Sequence, residues 1–451
     1  MSAKLLRSKR IAVLSVLSTA SGMPLGWVYT TLQFFLVALG IPKSTIGLLS
    51  VVSFPWLLKF LWSPLVDRYA LPWPGRRRSW IIIAQLALAG TFGALGAYAW
   101  RALGARQAGA PLGSIPLVIG LFAVAVAFFS ATQDIALDAY AVEVLHKDEQ
   151  GPVSGLRILF YRIGMLLAGA FAVSASEWLP WPLVFLATGA AFAAFTLLVL
   201  AAPEPDRPSE APRSLGKAVV EPLRTYFARP DAIGIALFLV FYKFGDNMGG
   251  TMVNPFLKDL CFSNAEAGAA IKTIGTVATI GGSLVGGALL ARVGLGRALW
   301  VFGVLQASAN LVYSAAALSR SVPLEFAQCA ALPAVSGLTR AWTYGAIAAE
   351  NAAQGMATAA QAVLLLRVCD RRYSATQFAL LSSLFALGRW ASGPPSGYLA
   401  EALGYPLFFA LCATVMALPG FFFLHRIAPF GAREVALAEP EVPEPAPAPR
   451  G

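Results

Sequence analysis

Apolar stretches of about twenty residues, the length a bilayer-spanning helix needs, recur twelve times along this chain, each ended by a short polar or basic break. Lipid offers nothing to bond a free backbone amide, so such stretches fold as bundled helices. The spans are predicted at Ile11–Gly40, Thr45–Val66, Ser79–Trp100, Ile115–Val142, Val153–Ser176 and Leu183–Ala202, then Asp231–Leu257, Ala265–Leu290, Gly296–Leu318, Thr339–Arg367, Ser374–Leu399 and Pro406–His425. The first is twice as long as a signal peptide's apolar region, about 7–15 residues. It is read as uncleaved and, because Gly22, Pro24 and Gly26 interrupt it, broken near its middle. Val322–Gly337 is apolar but short and contains Pro333, which leaves a re-entrant or surface-lying segment open there.

Only 13% of the 451 residues are charged and 57% are hydrophobic; soluble domains carry roughly 25% charge. No polar block is long enough for a separate soluble domain. The longest hydrophilic interruption, Pro203–Pro230, is rich in Pro and Arg and divides six spans from six. The expected organisation is therefore an N-terminal six-helix bundle over 1–202, a cytoplasmic linker over 203–230, a C-terminal six-helix bundle over 231–426 and a disordered tail over 427–451. That tail carries Glu-Pro and Ala-Pro repeats from Glu439, a composition that buries too little apolar surface to order itself.

With the N-terminus inside, the cytoplasmic segments hold 22 Lys and Arg and the outer loops hold 6. That asymmetry places both termini in the cytoplasm. It also accounts for the net charge of +11, which on a soluble protein would suggest nucleic acid. Cys261, Cys329, Cys369 and Cys412 are far apart and, with only His146 and His425, form no zinc cluster; they read as isolated apolar thiols. No Ser/His/Asp set, metal cluster or phosphate loop is visible, so neither an enzyme nor a cofactor is expected.

Two features point to duplicated halves around a central site. Leu36–Gly47 is similar to Leu257–Gly268, displaced by 221 residues, and this register sets Gln33 opposite Asn254. The loop SPLVDRYALPWPGRRRSW and the later GGALLARVGLGRALW both resemble the G-x-x-x-D-R-x-G-R-R signature of the major facilitator superfamily. The first keeps Asp67, Arg68 and Arg76–Arg78; the second keeps Arg292 and Arg297 but has Ala291 where the acid would stand. The resemblance implies a cytoplasmic gate in which Asp67, Arg68, Arg76, Arg292 and Arg297 lock the halves together. The bland alternative is positive-inside anchoring.

Nine of the ionisable residues inside spans stand out: Lys59, Asp134, Asp138, Arg157, Arg162, Lys243, Asp246, Lys272 and Arg389. Each costs about 2.5–3.5 kcal/mol at the bilayer centre even on lenient scales, so they must face one another or a wet cavity. Asp134 and Asp138 are four apart on one helix face. Two close carboxylates resist ionising together, which suits proton coupling; static neutralisation by Arg157 and Arg162 is the competing reading. Lys243 and Asp246, three apart, could pair. Gly245, Gly249, Gly250 and Asn254-Pro255 are expected to weaken or break their helix, with packing glycines as the alternative. Glu350, Asn351, Gln354 and Gln361 form a polar stripe suited either to sugar or peptide hydrogen bonding or to interhelical contact.

From about Ser15 to Leu424 the sequence resembles the AmpG family of muropeptide permeases. The resemblance rests on SGMPLGWVYTTLQFFL, LLKFLWSPLVDRY, GRRRSW, FFSATQDIALDAY, YRIGMLLAGA, YKFGDNMGG, ENAAQGMATAA and CDRRYSATQFALLSSLFALGRWASGP. ATQDIALDAY is also similar to a motif of acetyl-CoA transporters, so acetyl-CoA or another anionic metabolite is the alternative cargo. The resemblance implies an all-α major facilitator fold of about twelve helices in the bacterial inner membrane. It implies proton-driven import of N-acetylglucosaminyl-1,6-anhydro-N-acetylmuramyl peptides from periplasm to cytoplasm, for peptidoglycan recycling. Asp134 or Asp138 would then take the proton. Lys59, Arg157, Arg162, Lys243 and Arg389 would bind the anionic groups. Gln33, Gln133, Tyr161, Asp246, Asn254, Glu350, Asn351 and Gln354 would complete the substrate site. The partners implied are this small molecule, protons and lipid, with no demand for more than one copy of the chain.

Overall fold

The computed structural model describes residues 8–41, 52–69, 74–111, 113–203, 215–319 and 335–435. They are helical, with no strand among them. Eight of their helices are long and apolar enough to cross a membrane. We number the helices of the spans α1 to α12. In the first half, α1 runs from Lys9–Gly26 through Trp27–Thr31 to Leu32–Ala38, and α2 comprises Phe54–Leu58, Lys59–Leu61 and Ser63–Arg68. Then come α3 (Arg76–Gln107), α4 (Ile115–Val144), α5 (Gln150–Leu166, continued through Leu167–Phe171 to Ala172–Ala175) and α6 (Trp181–Leu200). A linker helix, Leu215–Phe227, leads to α7, made of Ala232–Phe241 and Phe244–Asp259. The second half continues with α8 (Asn264–Ala269, Ala270–Gly275 and Thr276–Val293), α9 (Leu295–Leu318) and α10 (Gly337–Val368). Last are α11 (374–403) and α12 (405–413 and Leu418–Ile427), separated by Gly404 at φ 71°, where a glycine avoids the steric penalty of a left-handed turn.

The expected break in α1 does not occur. The helix widens instead into a π turn at Trp27–Thr31, and α5 does the same at Leu167–Phe171. A π turn leaves backbone carbonyls without their usual partners. Here Thr31 Oγ1 donates to the Ala168 carbonyl at 2.6 Å, so each irregularity supports the other. The glycines serve close approach: a Cβ on Gly22 would lie 1.9 Å from the Tyr161 carbonyl oxygen, and one on Gly164 would lie 2.0 Å from that of Thr19. Overpacking a tight contact costs typically 1–3 kcal/mol. Gly164→Val should therefore exceed that range and lower the unfolding temperature in detergent by several degrees; an unchanged melting curve would contradict this crossing.

In α7 the break falls at Tyr242–Lys243, one turn before the glycines, and Pro255 is carried inside Phe244–Asp259. Gly245 and Gly249 meet the Cys412 carbonyl and the Asn310 side chain, so they are packing glycines and not a hinge. Cys369 and Cys412 are free and buried. Cys261 is disulfide-bonded, which corrects the expectation of four isolated thiols. Most of Val322–Gly337, Lys43 and the repeats from Glu439 lie outside the described residues; α10 begins at a cap in which Ser336 Oγ accepts from the Thr339 amide at 3.1 Å.

The buried apolar side chains form three groups. One group draws on both halves: Leu14, Val66, Ile81 and Val153 from the first, with Ile235, Leu290, Val363 and Phe378 from the second. All of these lie toward the end of the molecule that carries Arg76–Arg78, here called the basic end. Toward the other end each half has its own core, around Trp27, Phe92 and Phe185 in the first and around Phe256, Tyr313 and Phe409 in the second. The halves are thus fused at the basic end and separately packed at the opposite one.

Candidate functional site

At the basic end a buried charge network crosses between the halves. Arg77 at the start of α3 donates through Nη2 to Asp67 at 2.7 Å and through Nε to Glu143 of α4 at 2.8 Å. The same Nη2 reaches Ser374 Oγ at 2.8 Å, and Ser374 donates to Glu143 at 2.9 Å. Asp67 Oδ2 accepts from the Thr376 amide at 2.8 Å and its hydroxyl at 2.6 Å, while Oδ1 accepts from the Ala375 amide at 3.3 Å. The first amides of a helix have no partner within it, and a carboxylate there also meets the positive end of the helix dipole. A residue of α2 thereby caps α11 of the other half.

The five expected gate residues divide. Asp67 is at the centre, and Arg76 joins it by bonding Glu143 at 3.0 Å and the Asp67 carbonyl at 3.3 Å. Arg68 instead lies over the Tyr69 ring, 5.4 Å from its centroid. Arg292 is exposed. Arg297 donates to the Gly431 carbonyl at 3.1 Å. Beyond Ala291, the end of the chain packs against the start of α9 and the end of α10. The Gly296 amide donates to the Arg433 carbonyl at 3.0 Å, Trp300 Nε1 to that of Ala428 at 2.8 Å, and Arg367 pairs with Glu434. Val435 is buried in the shared core. The disorder expected from 427 is therefore corrected for Ala428–Val435, because these carbonyls find donors and Val435 leaves water. Truncation after Ile427 should lower the unfolding temperature, as read by thermal unfolding in detergent, and an unchanged temperature would contradict these contacts.

Beside the network, α5 and α8 meet at a seam of small residues. A Cβ on Gly155 would lie 2.6 Å from the Ser283 carbonyl, and one on Gly287 would lie 2.6 Å from that of Gly151. Backbones in this proximity close the basic end without any charge.

Deeper in the first half, Asp138 accepts from Arg157 Nη2 at 2.6 Å and lies 4.0 Å from Lys59 Nζ. Arg157 also donates to Ser18 at 3.3 Å. Gln133 Nε2 donates to Ser21 Oγ at 3.4 Å, and Asp134 lies beside the same hydroxyl. Asp134 has no ion pair among the described residues. The two aspartates are thus unequal: Asp138 is in direct contact with a guanidinium, whereas the Ser21 hydroxyl bonds Asp134, and Lys59, Asp138 and Arg157 act on it only through their charge.

In the second half Lys243 and Asp246 do not pair. Lys243 Nζ donates to Thr358 Oγ1 at 2.6 Å and the Gln354 carbonyl at 3.3 Å. Asp246 Oδ2 accepts from Gln306 Nε2 at 2.5 Å, and its Oδ1 is buried without a partner. The break in the helix at Lys243 turns the two side chains to different neighbours. Asn351 Nδ2 donates to Glu350 at 2.6 Å and its Oδ1 accepts from Thr279 at 3.1 Å. Arg162 lies within electrostatic reach of Tyr161, Arg389 and Glu350, and Lys243 within reach of Asp246, Glu350, Arg389 and Arg162. Tyr161 in turn lies near Asp134. A chain of interacting groups therefore runs from Asp134 across to Asp246. Gln33 and Asn254 are exposed and lie roughly 18 Å and 12 Å along their helices from Ser21 and Asp246, at 1.5 Å per residue. Lys272 is exposed in the π turn of α8.

Sequence reasoning missed Arg77, Glu143, Ser374 and Thr376 as a network, and Ser21, Gln306 and Thr358 as partners. Glu143 sits in the same acidic stretch as Asp134 and Asp138, and an acid at the end of a span opposite three arginines was the available signal.

Two helical halves fused at one end around a polar, charged centre define a membrane solute carrier. The sequence matches the Major Facilitator Superfamily over residues 14–373. It is 37% identical over 424 residues to the "Anhydromuropeptide permease" of Escherichia coli K12, covering 93% of this chain and 80% of that one. It is 34% identical to a Haemophilus influenzae protein, covering 91% and 92%. The crystal structure of a bacterial homologue of the iron transporter ferroportin, in an outward-facing state, superposes with a TM-score of 0.70 over 92% of this chain and 98% of that one, at 14% identity; this likeness concerns the fold. The chain belongs to the major facilitator superfamily and, within it, to the AmpG permeases, and it is a multi-pass membrane protein.

Proposed function

We propose that the protein imports anhydro-muropeptides from periplasm to cytoplasm in symport with protons. The observation that carries the coupling is the inequality of Asp134 and Asp138. A carrier needs one carboxylate whose proton can come and go, and Asp134, which has no ion pair among the described residues, is suited to it. Asp138 is the fixed counter-charge of Arg157 and Lys59. The cargo is supported by the 37% identity to the Escherichia coli permease and by the chemistry of the centre. Arg162, Lys243 and Arg389 suit the carboxylates of a stem peptide, and Gln133, Glu350, Asn351 and Gln354 suit sugar hydroxyls and amides. The exposed Gln33 and Asn254 suit first contact with the substrate on entry.

In this reading the basic end faces the cytoplasm, as the Lys and Arg distribution favours, with both termini there. The bundles are 1–202 and 231–426, joined by the linker over 203–230. One proton moved down 100 mV supplies about 2.3 kcal/mol, enough to bias uptake substantially. A single chain in an inner membrane is sufficient for this cycle.

Uptake of labelled anhydro-muropeptide into proteoliposomes, with and without an inward proton gradient, tests the proposal. Gradient-dependent accumulation abolished by a protonophore is expected. Gradient-independent equilibration would remove the coupling. Absence of uptake alongside competition by acetyl-CoA would transfer the reading to that cargo.

A further inference from the structure

The linker helix, Leu215–Phe227, has two faces. Ala218, Pro222 and Tyr226, spaced by four, are buried against the end of α2 and the start of α11. Gln377 of α11 donates to the Pro222 carbonyl at 3.0 Å and to Thr225 Oγ1 at 3.1 Å, and the Tyr373 hydroxyl bonds Glu221. Tyr226 donates to the Ala232 carbonyl at 2.8 Å, fixing the helix to the start of α7.

The opposite face carries Val219, Val220, Leu223 and Phe227, whose spacing of three and four makes one stripe. All are exposed, Val220 at 60% and Phe227 at 55%. Lys217 and Arg224, both exposed, border the stripe along one side. An apolar stripe edged by cations is the pattern of a helix lying in a membrane interface. The helix is tethered at both ends to helices that cross the bilayer, α6 and α7. It packs on Ser63–Arg68, where Leu65 is itself exposed and Leu61 just before it more so, at 63%. Exposed apolar side chains thus occur both on the linker helix and on the segment of α2 that it packs against. A soluble partner would have to enter the headgroup layer to reach it.

We propose that this face binds anionic phospholipid headgroups of the adjoining leaflet, the four apolar side chains entering the interface and Arg224 meeting the phosphates. The same helix holds Tyr373 and Gln377, which flank Ser374 and Thr376 of the charge network. A lipid-seated linker helix therefore steadies the start of α11 in its closed position. The proposal rests on the protein's being a membrane carrier and not on its cargo.

The test uses the full chain carrying Val220→Cys labelled with an environment-sensitive fluorophore, reconstituted in phosphatidylcholine vesicles with or without phosphatidylglycerol. Shallow spin-labelled lipids are expected to quench the label at least threefold more efficiently than aqueous iodide. Phosphatidylglycerol is expected to deepen that quenching, and Arg224→Gln to remove the deepening. Preferential quenching by iodide in both vesicles would overturn the proposal. A label shielded from both quenchers would also overturn it, by showing the face covered by protein. Since none of these readings needs uptake, loss of transport with quenching intact would count against the transport reading alone.

Discussion

Arg77→Ala is expected to open the basic end. The substitution leaves Asp67 and Glu143, both buried, without the guanidinium that lies between them, while Arg76 and Ser374 still reach Glu143. Removing one partner of a buried pair costs about 3–5 kcal/mol because the other charge stays behind. Part of that is recovered if the halves separate and water reaches the carboxylates. Since each 1.4 kcal/mol is about a factor of ten in population, the closed arrangement should lose at least tenfold in occupancy. A cysteine at Ser154, a buried position on α5, in a background lacking Cys369 and Cys412, would report it. Alkylation from the basic end should accelerate tenfold or more in Arg77→Ala. Asp67→Asn should act in the same direction but less, because an amide oxygen can still accept from the Thr376 amide. Equal alkylation rates in all three proteins would show that the glycine seam, and not the charge network, holds the end shut.

The second large effect concerns the aspartates of α4. Asp134→Asn keeps the size and the neighbouring Ser21 hydroxyl but cannot exchange a proton, so energised accumulation should fall to the equilibrium level while exchange of substrate across the membrane persists. Asp138→Asn leaves Arg157 and Lys59 uncompensated. A loss of about 3–5 kcal/mol from that broken pair should appear first as less folded protein in the membrane. The two variants thus separate by readout: one loses coupling with normal abundance, the other loses abundance. Gradient-driven accumulation surviving in both would remove the proton from this helix. Normal abundance of Asp138→Asn would mean that Arg157 finds another partner, with Ser18 already at 3.3 Å.

The helices and the charged centre were legible in the sequence because lipid enforces them. A run such as Trp181–Leu200 has one stable form in a bilayer, and an ionised residue within a span is conspicuous whatever surrounds it. Partners were not legible. The three-residue spacing of Lys243 and Asp246 suggested a pair, but the backbone break at Lys243 gave each a different neighbour. Gly22, Pro24 and Gly26 suggested a broken helix, but the close passage of α5 uses the two glycines as contact points and leaves α1 continuous.

By itself the sequence determined that this chain crosses a membrane many times, that its charges gather in α4, α5, α7 and α11, and that Asp67 and the arginines after it form one element. Those follow from local composition and from spacing along a helix. The packing of the helices sets that Asp67 caps α11 across 309 residues of chain, that Glu434 pairs with Arg367 of α10, and that Asp138 is ion-paired while Asp134, among the described residues, is not. Each of these depends on which helix faces which, and a hydrogen bond or ion pair between distant segments leaves no periodic trace in either.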